Sequence, residues 1–205
     1  MARMSAAERR TLLVEAAIAV MARDGVAHTT TRAIVAEAGM QIGVFHYCFR
    51  SKEELVLEVM RTISTRAFEA VAEVLTRTDD PAELIQRSVA AYWEHIEQDP
   101  LEHMLTYELT QYALRQPGQQ GAATAQYEHY IGSMAAFLEH GASVGGFAWS
   151  SPVDVLARFV LATIEGITFQ WLVNRDSEHA RKVLALLASH LMRDAGLQVQ
   201  EPAQP

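Results

Sequence analysis

The chain has 205 residues, of which half are apolar and one fifth are charged, and its formal net charge is −8. This composition is typical of a soluble globular protein, and the length allows one long domain or two small ones. The single cysteine, Cys48, excludes an intramolecular disulfide and fits a reducing compartment, so we expect a cytoplasmic protein.

Neither a signal peptide nor a membrane span is expected. The start of the chain, MARMSAAERRTLL, has no apolar core and has the pattern of a helix. The most apolar stretch, 153–173, is interrupted by charged and polar residues, which favours a buried packing helix and no membrane partner.

Charge is distributed unevenly along the chain. Residues 1–52 contain seven basic and four acidic side chains, a net charge of +3, whereas the remaining residues contain 10 basic and 21 acidic side chains, a net charge of −11. A cationic amino-terminal region on an anionic protein indicates a polyanionic partner for that region.

Helix signals extend over almost the whole chain, whereas the alternating patterns of strands are missing. Capping boxes begin at Ser5 and Ser51, and Asp80, Asp99 and Ser151 each precede a proline at the expected first helical position. The fold class is therefore all-α, with an amino-terminal three-helix domain and a carboxy-terminal helical domain. The predicted helices span about 6–23, 31–38, 42–48, 52–77, 81–98, 100–115, 122–140, 152–174 and 177–194.

We predict an amino-terminal domain at 1–51, a carboxy-terminal domain at 52–197 and a disordered tail at 198–205. On the first helix, apolar residues at 13, 17, 20 and 21 have the spacing of a core-facing stripe.

Residues 31–48 have the pattern of a helix-turn-helix. Gly39 separates two short helices and allows the positive φ that a tight turn between them needs. Phe45 and Phe49, four residues apart, are expected to pack inward against Ile34, Val35 and Leu55. This leaves five side chains for the outer face of the second helix: Gln41, Ile42, Val44, His46 and Tyr47.

The span TTTRAIVAEAGMQIGVFHYCFRSKEELV resembles the DNA-binding segment of TetR-type transcriptional repressors. The matching positions are Thr29, Thr30, Ile34, Ala38, Gly39, Gly43, Phe49, Ser51, Lys52, Glu53 and Leu55. Gln41 replaces the usual serine, His46 the usual tyrosine, and Cys48 stands where histidine or tyrosine is common, so the operator sequence is left open.

The resemblance implies the role of each DNA-facing residue. Thr30 and Thr31 would meet a phosphate, and Arg32 would reach a phosphate or a guanine edge. Gln41, Ile42 and Val44 would face bases, while His46, Tyr47 and Lys52 would hold the DNA backbone.

The resemblance also implies an effector cavity in the carboxy-terminal domain. Rings, methionines and polar groups fall on three successive helices, although each of these side chains could equally be part of the core. The predicted pocket residues are Trp93, His95, Met104, Tyr107, Glu108, Gln111, Tyr127, Tyr130 and Met134.

The last two long helices are expected to form a homodimer. Small residues at Ala162, Gly166 and Ala185 alternate with large apolar ones such as Leu156, Phe159 and Val160. Such surfaces are too apolar for an isolated hairpin, and pairing with the same hairpin of a second copy would form a four-helix interface.

Taken with the resemblance, these patterns predict a DNA-binding domain at 1–51 and a ligand-binding and dimerisation domain at 52–197. The protein would be a homodimeric, ligand-responsive regulator, most simply a repressor of a palindromic double-stranded DNA operator. A small-molecule effector would move the helix that begins at Lys52 and release the DNA. The alternative is a helical small-molecule-binding protein or an enzyme without sequence-specific DNA binding. The sequence contains no recognisable catalytic, cofactor or metal motif, so we expect no enzymatic activity, no cofactor and no metal.

Overall fold

The computed structural model describes residues 4–72, 78, 80–116 and 120–198. All regular structure in these ranges is helical, which confirms the all-α prediction. The helices are α1 (Ala6–Asp24), α2 (Thr31–Glu37), α3 (Ile42–Cys48), α4 (Lys52–Ala72), α5 (Pro81–Gln98), α6 (Pro100–Arg115), α7 (Gln120–Gly145), α8 (Val153–Asn174) and α9 (Ser177–Asp194).

Most helices begin where the capping residues predict. Ser5 and Glu8 form the reciprocal capping box of α1, and Asp99 accepts the backbone N–H of Glu102 at the start of α6. Asp80 accepts N–H groups in the first turn of α5 in the same way. These side chains satisfy backbone donors that a first turn leaves open, which is why local sequence locates helix starts well.

The predicted cap at Ser151 is wrong. Helix α8 begins at Val153 after Pro152, without a side-chain cap. The Ser151 hydroxyl instead donates to Oδ1 of Asp194 at 2.6 Å, and the Ser151 backbone N–H donates to Oδ2 of the same carboxylate. The serine is thus used to tie the start of α8 to the end of α9.

Helix α7 is longer than predicted, because Gly141 does not end it. Gly141 is buried inside the helix, which continues to Gly145. The left-handed turn that a helix end favours falls at Gly146, whose φ is +67°. The predicted end of α4 at 77 and the predicted tail, 198–205, lie outside the described residues except for Gln198.

Residue contacts divide the chain into two units, which we call the first unit and the second unit. The first unit comprises Met1–Arg66 and Asp99–Tyr127, and the second comprises Ala67–Gln98 and Glu128–Pro205. Helix α6 therefore belongs to the first unit, where it packs against α1, although it follows α5 in sequence. The functional boundary at 51/52 stays a prediction.

The core of the first unit is built from the stripe on α1 and the inner face of the helix-turn-helix. Leu13, Ala17, Val20 and Met21 are fully buried, as their spacing predicts. The other predicted contributors to this core are buried as well: Ile34, Val35, Phe45, Phe49 and Leu55. The inner side of α3, which packs against the rest of the first unit, is thus apolar and closely packed.

The core of the second unit centres on α8. Trp171 meets Trp93 edge-to-face, with ring centroids 5.4 Å apart, and its indole N–H donates to the Ser177 hydroxyl at 2.9 Å. Among the described helices, α8 alone is long and apolar enough to cross a membrane by length and composition, and 44% of that window is buried inside the protein.

Candidate nucleic-acid interface and ligand cavity

The turn between α2 and α3 is fixed by local hydrogen bonds. The Thr30 hydroxyl accepts the N–H of Ala33 and begins α2. Gly39 has a φ of +64°, and the N–H of Met40 reaches back to the carbonyl of Val35 at 2.7 Å. A side chain at Gly39 would strain this conformation, so the sequence specifies the turn locally.

The outer face of α3 carries four of the five predicted side chains. Gln41, Ile42, His46 and Tyr47 are exposed, and Tyr47 is the most exposed at 71%. Val44 differs, because it is half-buried and packs against the core of the first unit. The free face therefore offers an amide, an apolar side chain, an imidazole and a phenol.

Arg10 on α1 holds the carboxy-terminal end of α3. Its Nη1 donates to the carbonyl oxygen of Cys48 at 2.7 Å and to Glu54 at 3.1 Å, while Nη2 donates to Glu58 at 3.3 Å. Its guanidinium carbon lies 4.2 Å from the centre of the Phe49 ring. One planar group thus caps the last residue of α3 and ties α1 to α4.

The segment 26–29, which leads into α2, is held by α4 and α6. Lys52 Nζ donates to the carbonyls of Val26 and Thr29 at 3.2 and 2.6 Å, and Glu108 accepts the N–H of Val26 at 3.1 Å. Lys52 Nζ also lies 5.7 Å from the centre of the Tyr112 ring. Burial lowers the pKa of Lys52, and Glu53 partly opposes this shift.

Several cations in the first unit are already engaged. Arg23 forms salt bridges with Asp24 and Glu37. Within the part of the chain that the structure describes, Arg9, Arg32 and Arg50 form no salt bridge, and Arg32 and Arg50 are exposed. Arg50, two residues beyond the end of α3, is a further candidate DNA contact that was not among the residues predicted from the sequence. The sequence feature that could have indicated this role is the position of Arg50 in the basic region, three residues after Tyr47.

A buried carboxylate lies where α1, α4 and α6 meet. Glu102 is 5% exposed, and its Oε2 accepts from Arg66 Nη1 at 3.0 Å, while Arg66 also pairs with Glu15. Oε1 of Glu102 has no hydrogen-bond partner among the described residues. Burial raises the pKa of Glu102, and the Arg66 guanidinium offsets only part of that shift.

The predicted effector residues are divided between the two units. Trp93, His95, Tyr130 and Met134 belong to the second unit, whereas Met104, Tyr107, Glu108, Gln111 and Tyr127 belong to the first. Met104 and Gln111 are exposed, and Glu108 is used to hold Val26. The nine-residue pocket stays a prediction.

The second unit contains a cavity of about 60 Å³ between α5, α7 and α8. It is lined by Leu84, Ile85, Ser88, Val89, Tyr92, Met134, Phe137, Leu138, Gly141, Trp149, Val160, Ile164 and Leu191. Met134 is the only predicted pocket residue in this lining. Trp93 instead lines a second pocket, of about 390 Å³, between α5 and α9.

Family models match both parts of the chain. Residues 13–59 match the model for bacterial regulatory proteins of the tetR family, and residues 81–195 match the carboxy-terminal model of BetI-type transcriptional repressors. The chain belongs to the TetR family. Members of this family are transcriptional regulators and not enzymes, so the resemblance seen in the helix-turn-helix is confirmed and the expectation of no enzymatic activity agrees with it.

Relatives and solved structures agree with this assignment. The nicotine-responsive transcriptional repressor HdnoR of Paenarthrobacter nicotinovorans is 27% identical over 136 residues, which cover 66% of this chain and 70% of HdnoR. The multidrug binding protein EbrR, solved with ethidium, is 29% identical with a TM-score of 0.61, covering 88% of this chain and 98% of EbrR. The Bacillus subtilis regulator FadR, solved with stearoyl-CoA, is 18% identical with a TM-score of 0.68, covering 87% and 97%.

Proposed function

We propose that this member of the TetR family binds a palindromic operator as a homodimer, with α3 of each subunit in a major groove, and is released by a small-molecule effector. The observation that carries the proposal is the contrast between the two sides of α3. Its inner side is locked into the core by Phe45, while Gln41, His46 and Tyr47 face outward in the basic region. Such an arrangement suits base and phosphate contacts in a groove.

The proposed contacts follow from the exposure of each side chain and from the hydrogen-bonding groups that it can direct at DNA. Gln41 and Ile42 would meet base edges, with Val44 contributing less because it is half-buried. His46 and Tyr47 would donate to phosphates. The hydroxyl of Thr30 accepts a bond from Ala33, so its own proton remains for a phosphate oxygen.

In this proposal some basic residues hold the protein's own backbone, and others contact DNA phosphates. Lys52 uses two of its N–H donors on Val26 and Thr29, so we assign it mainly to holding the segment before α2. Arg32 and Arg50 are exposed and form no salt bridge among the described residues. They would therefore supply the phosphate contacts that make affinity fall as salt rises, with Thr31 beside Arg32 as a further contact.

An exposed apolar stripe on α8 and α9 supports dimerisation through these helices. On α8 the stripe contains Val155, Phe159 and Val173, and on α9 it contains Val183 and Leu186, of which Val173 and Leu186 are 76% and 69% exposed. Exposed Ala162 and Gly166 would let two helices approach closely between the large side chains.

Of the large side chains first expected at this interface, only Phe159 lies in the exposed stripe. Leu156 and Val160 are buried within their own subunit. They belong to the opposite side of α8, so the proposed dimer face consists of the residues between them.

Ligand response is supported by relatives above one quarter identity. HdnoR is named for its response to nicotine, and EbrR was solved with bound ethidium. We propose that an organic effector likewise controls this chain and that the protein acts in the cytoplasm, where its DNA target is located.

Gel retardation with DNA fragments that flank its own coding region tests this proposal. We expect specific retardation by the unaltered protein and a loss of roughly tenfold or more in affinity for Tyr47→Ala, Arg32→Ala and Arg50→Ala, because each removes a phosphate contact. Arg115→Ala, an exposed arginine in the last turn of α6, is the control. Equal retardation by all four variants, or turnover of a metabolite without any retardation, would contradict the proposal.

Dimerisation is tested with Leu186→Glu. A buried, unpaired carboxylate at the centre of an apolar interface opposes association, so sedimentation should show monomers and operator affinity should fall by roughly a hundredfold or more. Glu178→Gln, at the exposed start of α9, should remain dimeric. If the Leu186→Glu protein stayed dimeric, α9 would not be part of the interface.

A further inference from the structure

The described residues that line the cavity of the second unit carry no charge. None of them is an aspartate, glutamate, lysine, arginine or histidine. Trp149 could offer a polar atom, but its indole N–H already donates to the carbonyl of Leu138 at 3.0 Å. Ser88 and Tyr92 also belong to the lining, but their hydroxyls are not accessible from the cavity, whose exposed wall is entirely apolar.

A charged group would lose its hydration in this cavity without gaining a counter-charge from the lining. Transfer of an ionised carboxylate or ammonium into such surroundings is far more costly than transfer of a hydrocarbon, unless the group becomes neutral. The cavity therefore discriminates against charge by solvation alone, whatever the shape of the ligand.

Ser88 and Tyr92 do not interrupt this apolar wall. They are four residues apart on α5 and occupy the same face of that helix, but their hydroxyls expose no polar surface to the cavity. Met134, Phe137 and Leu138 of α7 contribute only carbon and sulfur to the lining. Burial raises the pKa of Tyr92, and Tyr130 and Glu165 add to this shift, so the phenol stays uncharged near neutral pH.

The size of the cavity limits the cross-section of its occupant. At about 60 Å³ it is much smaller than the roughly 300–1,000 Å³ of pockets that enclose drug-sized ligands. An alkyl chain or a single ring is slim enough to enter, whereas a fused multi-ring system is too broad unless the helices move apart.

We propose that the effector of this regulator inserts a slim, uncharged hydrocarbon group, an alkyl chain or one ring, into the cavity between α5, α7 and α8. The inference rests on the proposed ligand-responsive function and specifies the chemistry of its ligand.

Calorimetric titration with three matched probes tests the proposal. 1-Octanol, octanoate and octylammonium have the same chain and differ in charge at neutral pH. We expect 1-octanol to bind at least roughly tenfold more tightly than either charged probe, because only the charged probes lose hydration without compensation. Equal affinity for octanoate or octylammonium would overturn the proposal.

Isosteric variants connect the binding to the cavity. Val160→Thr keeps the shape of a lining residue and adds a hydroxyl to the wall, so 1-octanol affinity should fall roughly threefold to tenfold. Val144→Thr makes the same change at an exposed position on α7 and should leave affinity unchanged. Equal affinities of Val160→Thr and Val144→Thr would show that the probe binds elsewhere and would overturn the proposal.

Gel retardation without any probe separates this inference from the proposed function. Specific DNA binding combined with no preference for 1-octanol would reject the uncharged ligand and leave the regulator intact. Preference for 1-octanol without specific DNA binding would support the ligand class while the DNA-binding proposal failed.

Discussion

The two units of the molecule use different kinds of contact between helices. In the first unit, directional bonds from charged side chains join the helices: Arg10 joins α1, α3 and α4, and Arg66 joins α1, α4 and α6. In the second unit, rings and aliphatic side chains fill most of the space between α5, α8 and α9.

This difference corresponds to two physical requirements. A helix that reads DNA must be held within a fraction of an ångström, and charge-assisted bonds fix angles as well as distances. A cavity that binds an apolar ligand instead needs a surface without competing polar groups. Apolar packing in the second unit provides such a cavity, with a volume of about 60 Å³. The charged bonds of the second unit, such as Arg181 with Glu97, lie toward its surface.

The largest expected effect comes from removing the apolar anchor of α3. Phe45→Ala deletes a ring that is 1% exposed and should reduce the free energy of unfolding by about 3–5 kcal/mol. Chemical denaturation monitored by circular dichroism measures the change. Leu114→Ala, at an exposed position on α6, is the control and should cost less than about 0.5 kcal/mol. Similar costs for both variants would contradict the role of Phe45 as an anchor.

Arg10→Met tests whether the directional bonds of the first unit matter beyond packing. It keeps an apolar stem but leaves the Cys48 carbonyl, Glu54 and Glu58 without their donor. We expect a loss of about 1–2 kcal/mol in unfolding free energy and faster amide exchange at the end of α3.

The control for Arg10→Met is Arg23→Met, which removes an exposed pair of salt bridges. Such surface pairs contribute about 0–1 kcal/mol. If Arg23→Met accelerated exchange in α3 as much as Arg10→Met, the Arg10 contacts would not be what holds that helix.

Ser177→Ala tests the corresponding polar contact in the second unit. It leaves the indole N–H of the buried Trp171 without its acceptor and should cost about 1 kcal/mol. Ser189→Ala removes only a hydroxyl bond to the carbonyl of Ala185 within the same helix and should cost less. Thermal denaturation distinguishes the two, and a smaller cost for Ser177→Ala would contradict the expectation.

The smallest effect is a pH dependence from Glu102. Because burial raises its pKa, the folded protein holds this proton more tightly than the unfolded chain does. Stability relative to Glu102→Gln should therefore fall as pH rises above the usual carboxyl pKa of 4.5, and it should level off once the folded carboxyl has ionised.

Denaturation of the unaltered protein and the Glu102→Gln variant at a series of pH values measures this difference. Glu139→Gln, an exposed carboxylate on α7, controls for the loss of one negative charge. A difference that grows in favour of the unaltered protein with rising pH would reverse the assigned sign.

The helices and the helix-turn-helix could be predicted from the sequence because interactions between neighbouring residues determine them. Ser5, Thr30 and Gly39 act on backbone groups within a few residues, and the spacing of Phe45 and Phe49 defines the inner face of α3. By contrast, Val44 was assigned to the outer face from helical spacing alone, although it is half-buried against the core.

Contacts between distant segments could not be read from the sequence. Arg10 and Cys48 are 38 positions apart, and no local pattern pairs them. Glu108 was assigned to a ligand pocket because it lies on a helix with several rings, but it holds Val26 across 82 positions. The cavity likewise depends on how α5, α7 and α8 pack, which periodicity does not specify.

Amide hydrogen exchange of the protein with and without its operator tests the central claim most directly. We expect slower exchange at 30–32 and 41–50 in the complex, with little change in 153–194, where the proposed dimer interface is present in both states. Protection confined to α8 and α9, or none in α3 despite specific binding, would contradict the claim that the outer face of α3 reads the DNA.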